Sequence, residues 1–569
     1  MKKTMKFLSM AALALVGAVM TGCSSDEDGF TDTPQQPAAT NYSVTKTLRV
    51  SLDGGEAGAR GITRALTSGG EKTFATGDKL AVIYMNEGGT MTKVETEELK
   101  ASDISVDGQT ATFTVTFTEA PHEGRIPLTY IYPASIATSD GYVDNSQLSS
   151  QDGTLASLAS NLDACRGYDP EWRSSGDLPT LTLTNAFTIG KFIIKNPSGT
   201  AINDELTSVT ISDGANTYTI TPTGSTFTSD PIWVAMQPVT TGDITIYAAK
   251  GKELYKKTVS GKALDAGKLY PINVTTTKVE GALSGQFTVN SSGKKVYFSQ
   301  GNLQAVIADG GPTNTYNYAA SSWQFAEHQW DFIGNAAGNT SFAAGSTVDL
   351  FGWVGYSATY DTYGLCTFVT NNNNQATSHS YFGSHSASET LGNDWGTLAI
   401  SNGGNTANSG WRTLTRSEWD YLFNTRSGAT VKGTSNVRYT LATINTNNGS
   451  GGVRGAILFP DGVTIANGEA TSWGALNSVS QWNDATKCTT TQWTALAAKG
   501  CVFLPITGYR SGTTVEQATY VGHYWSSTPV NNQETKAISL MFSNQLLFLS
   551  NIGDFRCNGH AVRLVKDVE

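Results

Sequence analysis

The sequence predicts a multidomain protein in which two all-β sandwiches precede an α+β domain. Three observations predict it. Before about residue 280 the chain is a succession of short stretches alternating apolar and polar residues, set apart by Gly, Asp and Pro turns, with no sustained helical period. After residue 300 come ten of the twelve tryptophans, in less than half of the length, together with two segments that carry helix start and stop signals. The length of 569 residues exceeds what one core usually fills, so about three domains fit.

The N-terminus reads as an export segment. Lys2, Lys3 and Lys6 form a positive start, Leu8 to Met20 supply an apolar run, and Thr21-Gly22-Cys23 follow. This is the layout of a cleavable lipoprotein signal over residues 1–22, too short to span a bilayer. Met20 stands where such signals usually carry Leu. Acylation of Cys23 leaves a lipid anchor in which each buried methylene contributes about 0.8 kcal/mol. Residues 23–41 form a flexible tether, acidic at Asp26-Glu27-Asp28 and rich in Pro, Thr and Gln beyond. The acidic run also resembles the signal with which gut and oral Gram-negative anaerobes send lipoproteins to the outer face of the outer membrane. Surface display is expected on that ground; a plain solvated tether is the alternative.

Residues 42–165 and 166–275 each suit a β-sandwich, with the break in the loop-like stretch from Asp163 to Asp177. Tyr42 to Leu52 opens the first, Lys79 to Tyr84 is another strand, and Thr110 to Phe117 alternates Thr with Ala, Phe, Val and Phe. Leu128 to Tyr132, Ala186 to Ile194, Ser208 to Ile211, Thr217 to Thr221, Ile232 to Met236 and Ile244 to Ala249 continue the pattern. A linker is expected over 276–284 and a third domain over 285–569, opening with strands at Gly285 to Val289 and Lys295 to Phe298. Thr415 with Glu418 three residues on is a capping box, and Trp419, Leu422 and Phe423 fall on one face of the helix it starts. A second helix carries Trp493, Leu496 and Ala497 on its inner stripe and ends with Gly500 as cap. Strands are expected again at Cys501 to Leu504, Ala537 to Phe542, Leu546 to Leu549 and Ala561 to Val565, between long loops rich in Asn, Ser, Gly and Thr.

The net charge of -10 and the absence of a basic stripe exclude nucleic acid as a partner. Beside the lipidated Cys23 there are five cysteines, Cys165, Cys366, Cys488, Cys501 and Cys557, so at least one thiol is unpaired; the pairing among the last four is left open.

Two resemblances follow from particular residues. Arg60-Gly61-Ile62-Thr63-Arg64-Ala65, Phe74-Ala75-Thr76-Gly77-Asp78-Lys79-Leu80-Ala81-Val82, Tyr130-Ile131-Tyr132-Pro133-Ala134 and Leu264-Asp265-Ala266-Gly267-Lys268-Leu269-Tyr270-Pro271-Ile272-Asn273-Val274 resemble the fimbrillin family of anaerobe pilins and pilin-like lipoproteins. That resemblance implies paired transthyretin-like sandwiches that polymerise by strand exchange once a trypsin-like protease cuts after an arginine and removes the N-terminal strand. Arg64 is then the first candidate for the cut and Arg60 the second; as ordinary loop residues they carry no such role. The third domain is similar to a C-type-lectin-like domain of the kind shared by formylglycine-generating-enzyme relatives and many anaerobe surface lipoproteins. The residues that carry this likeness are Val296-Tyr297-Phe298-Ser299-Gln300-Gly301-Asn302-Leu303, Asp349-Leu350-Phe351-Gly352-Trp353, Trp411 to Trp419, Phe503 to Arg510, Tyr524-Trp525-Ser526-Ser527-Thr528 and Ala561 to Val565. It implies two helices on a small twisted sheet and a large variable loop region.

Catalytic motifs are missing. No His-Glu-x-x-His spacing, nucleophile elbow, phosphate loop or Cys-x-x-Cys occurs, and the later cysteines do not match the redox pair of formylglycine-generating enzymes. Trp482-Asn483-Asp484 matches one half of the calcium–sugar motif of true C-type lectins, but the Glu-Pro-Asn or Gln-Pro-Asp half is absent, so no cofactor is expected and calcium dependence is left open without support. Most tryptophans, Trp353, Trp419 and Trp525 among them, are expected in the core, whereas Trp395, Tyr381 and Phe382 sit among Asn, Ser and Gly as candidate ligand contacts. The expectation is therefore a non-enzymatic, surface-anchored fimbrillin-like adhesin, a pilus tip or accessory subunit. Its partners would be other subunits by strand exchange, a host or microbial glycan or protein ligand, and the membrane through lipid alone. The alternative is a stand-alone glycan-binding lipoprotein of a polysaccharide uptake system.

Overall fold

The computed structural model describes residues 42–52, 73–122, 127–169, 172–312, 318–341, 343–353, 394–446, 452–530, 533, 536–549, 553–556 and 558–568. The expected signal and tether lie outside these residues, as do Cys23, Arg60, Arg64, Cys366, Tyr381, Phe382 and Cys557. The described chain is mostly β, in several sheets around separate cores. Among the described residues no helix is long and apolar enough to cross a membrane.

The first body is built from β1 (Val44–Leu52), β2 (Ala81–Met85), β3 (Met91–Glu95), β4 (Thr110–Phe117), β5 (Leu128–Tyr132), β7 (Cys165–Asp169) and β8 (Leu181–Asn185). They form one seven-stranded sheet in the order β3-β2-β5-β7-β8-β1-β4. The sheet curls until its edges approach, and just beyond β3 the Glu97 amide donates to the Thr114 carbonyl of β4 at 2.8 Å. Because side chains alternate across a strand, Leu48, Val50 and Leu52 of β1 and Phe113, Val115 and Phe117 of β4 point into one enclosed core. β2 is buried on both faces: Val82 and Tyr84 enter this core, while Ala81 and Ile83 face the next one. That explains why its sequence is an unbroken apolar run.

The expected border between residues 165 and 166 falls at the start of β7, and both β7 and β8 belong to the first sheet. Conversely, Ala134, Ile136, Leu148, Leu158 and Leu162 lie in the second core, and the two-residue β6 (Ser150–Gln151) and helix α1 (Leu155–Asn161) pack with the second body. The chain thus crosses to the second body, returns to close the first sheet, and crosses again. A break placed by loop-like composition cannot register this, because the return of β8 is fixed by its parallel pairing with β1, roughly 130 residues earlier in the chain.

The second body is a sandwich. Its smaller layer is β12-β9-β15, made of β9 (Thr188–Lys195), β12 (Ile232–Met236) and β15 (Leu269–Thr275). The facing layer contains β6, β10 (Ser208–Ser212), β11 (Thr217–Ile220), β13 (Val239–Lys250) and β14 (Glu253–Leu264). Phe192, Ile194, Val209, Ile211, Val234 and Ile246 fill the space between them.

The expected linker at 276–284 is instead the first part of a long strand, β16 (Thr277–Thr288). Its first half pairs with β14 through Tyr255–Lys278 and Lys256–Thr277, and its second half pairs with β17 (Lys295–Ser299) through Gln286–Tyr297 and Thr288–Lys295. One nine-stranded sheet therefore runs from the second body into the third. Polar residues in its first half face solvent and hide the strand from a hydropathy reading, since Thr277, Lys278 and Glu280 are exposed.

In the third body the first and last strands are neighbours: Leu564–Asp567 pairs with β17 on one side and with Trp411–Thr413 on the other. A second sheet has the order Thr486–Thr489, Tyr439–Asn445, Val453–Leu458, Val502–Pro505. Helix α2 (Arg416–Asn424) starts at the expected Thr415–Glu418 capping box and buries Trp419, Leu422 and Phe423. Helix α3 (Thr490–Ala498) starts at a second box, Thr489–Gln492, buries Trp493, Leu496 and Ala497, and is followed by Gly500 at φ 84°. Gly500 abuts Gly285 of β16, where a Cβ would lie 2.1 Å from the Gly500 carbonyl oxygen.

Arg426, just past α2, is wholly buried and ties this body to β16. Its guanidinium donates to Asp461 Oδ1 (2.7 Å) and to the carbonyls of Leu422 (2.8 Å), Arg438 (3.0 Å) and Phe459 (2.8 Å), and it lies over the Phe287 ring. Asp461 Oδ2 in turn accepts from the amide and hydroxyl of Thr288 at 2.7 and 2.6 Å. Removing one member of a buried pair strands the other charge in the core, a loss of about 3–5 kcal/mol. Asp461→Ala is thus expected to lower the denaturant midpoint of the third body, followed by tryptophan fluorescence. Amide exchange in β4 of the first body should be unchanged.

Candidate functional site

The strand that the candidate cuts would release is β1. It is an inner strand of its sheet, aligned antiparallel to β4 from Val44–Phe117 to Ser51–Thr110 and parallel to β8 over Val50–Leu181 to Leu52–Leu183. Three kinds of contact hold it. Its apolar side chains Leu48, Val50 and Leu52 are buried. Its backbone amides and carbonyls are paired along β4. Lys46, also buried, donates to the carbonyls of Ser174 (2.9 Å) and Gly176 (2.6 Å) and lies 5.6 Å from the centre of the Trp172 ring.

The described chain leaves β1 at Leu52 and resumes at Thr73; Arg60 and Arg64 belong to the intervening sequence. At the resumption Phe74 is buried in edge-on contact with Phe113 (5.5 Å) and Tyr132 (5.3 Å), and its amide donates to Gly108. Residues downstream of either arginine are therefore anchored independently of β1. Without β1, the facing edges of β4 and β8 would present unpaired backbone groups above an apolar groove that includes Phe113, Val115, Leu181 and Leu183.

The ligand contacts expected in the third body fare differently. Trp395 is not exposed: it is fully buried in a single 3-10 turn, Trp395–Thr397, packed in a core with Phe351 and Trp411. Asp394 enforces this, because its carboxylate accepts from the Gly396 amide and from both the amide and hydroxyl of Thr413, pinning the turn against the strand Trp411–Thr413. The surrounding Asn, Ser and Gly concealed that contact. Tyr381 and Phe382 lie outside the described residues. Trp353, Trp419 and Trp525 are fully buried as expected; the indoles of Trp353 and Trp525 donate to the Ser526 and Phe351 carbonyls. Trp482-Asn483-Asp484 is a lone 3-10 turn with the indole buried, not the late strand a calcium–sugar site requires.

Cys165, Cys488 and Cys501 are buried and in no disulfide. Burial pushes the Cys488 thiol up to about 12 and raises Cys501 as well, so neither is a thiolate at neutral pH. A cleft of about 280 Å³ opens beside α1, lined in part by Gln151, Asp152, Thr154, Ser157 and Trp233. One cluster of potential metal ligands stands out among the described residues: His523, Asp554 and His560, whose donor atoms lie within 4.8 Å of one another. Burial, with the neighbouring His523 adding to it, pushes the His560 imidazole down to about 3, so that ring is neutral. Sequence reading missed the cluster because its members come from three separate segments with no ligand spacing.

No family model and no curated protein matches the chain. Among solved structures, a fimbrial assembly protein from Parabacteroides distasonis overlaps 45% of this chain and 95% of its own, at 12% identity and a TM-score of 0.24. A protein assigned provisionally to cell adhesion from Bacteroides ovatus overlaps 42% of this chain and 97% of its own, at 14% identity and a TM-score of 0.25. A streptococcal ancillary pilin overlaps 48% of this chain and 80% of its own, at 12% identity and a TM-score of 0.16. Likenesses this weak assign no family.

Truncating a buried Leu typically costs about 2–5 kcal/mol. Leu48→Ala is accordingly expected to loosen β1, raising hydrogen-exchange rates at β4 and β8 amides while those of α2 and α3 stay as they were.

Proposed function

We propose that this chain is a surface-anchored, fimbrillin-like adhesin, a pilus tip or accessory subunit whose lectin-like third body binds a ligand. The observation that carries the reading is β1. It is an inner strand, paired along β4 and at its end with β8, yet it is continuous with the rest of the first body only through the stretch that contains Arg60 and Arg64. A cut there leaves β1 held without a covalent link. Its departure opens a groove that a neighbour's extended strand fills by backbone pairing and apolar burial. Cys23 lies upstream of the same stretch, so the lipid anchor leaves with β1, and the anchored and assembling forms are alternatives.

The position of the third body favours an end role. The closing strand Leu564–Asp567 is paired on both sides, and β16 fuses this body to the sandwich by a continuous sheet. The strand Leu564–Asp567, so placed, is not available to donate to another subunit. Lectin-like describes the third body by the pairing of its closing strand with β17 near its start; its ligand would be a host or microbial glycan or protein.

Arginine-specific protease applied to the full chain tests the central claim. Cleavage between Leu52 and Thr73 should release the N-terminal strand on mild warming and yield strand-exchanged multimers, whereas the double variant Arg60→Gln/Arg64→Gln should stay intact and monomeric. A cut product that keeps β1 and never associates would rule out strand exchange and leave a stand-alone glycan-capture lipoprotein as the better reading. Palmitate incorporation lost in Cys23→Ser checks the anchor.

A further inference from the structure

We propose that His523, Asp554 and His560 form a binding site for a divalent cation of the zinc class. The three residues are set by backbone pairing rather than by flexible loops. His523 lies in the strand Val521–Pro529 opposite Met541, and its carbonyl accepts from the Ala561 amide. Asp554 opens a short strand paired with Lys536–Ser543 through Ala537. His560 exchanges both backbone hydrogen bonds with Phe351.

The two imidazoles adjoin, with ring centres 4.7 Å apart, and the Asp554 carboxylate faces both: Oδ2 is 3.7 Å from Nδ1 of His523 and 4.0 Å from Nδ1 of His560. These separations are too long for hydrogen bonds. Nδ1 of His523 and both ring nitrogens of His560 are buried with no hydrogen-bond partner among the described residues. Buried polar atoms are seldom left so, and here Nδ1 of each imidazole faces the same carboxylate. Donor atoms around tetrahedral zinc, bound at about 2.0–2.1 Å, stand about 3.3 Å apart. The three donors lie within 4.8 Å of one another, so an ion would draw them together by rotation of the side chains.

The surroundings suit a held ligand set. His560 is stacked on Trp525 at 4.0 Å between ring centres, and Tyr509 packs edge-on against both imidazoles. Ser539 donates its hydroxyl to Asp554 Oδ2, orienting the carboxylate as outer partners of metal ligands do. Two imidazoles and one carboxylate suit zinc, cobalt or nickel; calcium prefers six to eight oxygens. The Asp554 side chain is 30% exposed, which gives the ion an entry and leaves a fourth position for water or for an oxygen of a bound ligand. Arg510 is the nearby cation, with Nη2 directed to the Leu350 carbonyl, and its charge moderates the affinity.

The test uses the untagged full chain, stripped with chelator and titrated calorimetrically with zinc alone, with cobalt as a spectroscopic probe and calcium as a control. One equivalent of zinc with micromolar affinity, a tetrahedral cobalt absorption band and no calcium heat are expected. Asp554→Asn and His523→Gln, each checked for native circular dichroism, should weaken zinc at least tenfold. A stripped wild type that takes up no zinc in stoichiometric excess, or a folded Asp554→Asn that binds as tightly as wild type, overturns the site.

Discussion

Strand β16 can serve two bodies at once because a buried charge fixes its far end. Arg426 sits in the core of the third body, where a guanidinium is tolerable only if every face of it is paired, and Asp461 completes the set. The same carboxylate holds Thr288, the last residue of β16. The register of the strand is thus set at one end by Thr288 and at the other by Tyr255 and Lys256 of β14. Gly285 and Gly500 let the strand lie against the end of α3 at backbone distance. Sandwich and third body meet as one sheet and not as two modules on a tether.

Much of this was legible from local chemistry. The helices at 416–424 and 490–498 announce themselves through Thr-x-x-Glu and Thr-x-x-Gln boxes and through aromatic and Leu residues at helical spacing, all of which act within a few residues. The strand at Thr110–Phe117 is plain because one of its faces meets a core and the other solvent. What eluded reading depends on partners far away in sequence. The return of β7 and β8 to the first sheet is decided by pairing with β1 and β5. The burial of Trp395 is decided by Asp394 reaching Thr413. The two histidines and Asp554 meet only because two strands and the bridged segment at His560 converge, and no spacing between them encodes it. The stretch at 276–284 looked like a linker because its side chains are polar, although its backbone is fully engaged in a sheet.

Function in this architecture divides along the chain. The N-terminal end has a strand whose covalent continuity depends on one short stretch, while the C-terminal end has a strand locked between two others. Between them the interleaved crossing through 134–164 stitches the first two cores together, so that loss of β1 need not separate them. In the third body the indole N–H groups of Trp353 and Trp525 are spent on the backbone carbonyls of Ser526 and Phe351.

The place of β1 between two dissimilar neighbours has a consequence for polarity. β4 runs against it and β8 runs with it. Antiparallel and parallel ladders space their hydrogen bonds differently, so a substitute laid in backwards would mismatch both flanks at once. Lys46 adds a chemical marker near the strand's beginning, where two carbonyls and an indole await a cation. The vacated slot would distinguish front from back, and subunits joined through it would all point the same way.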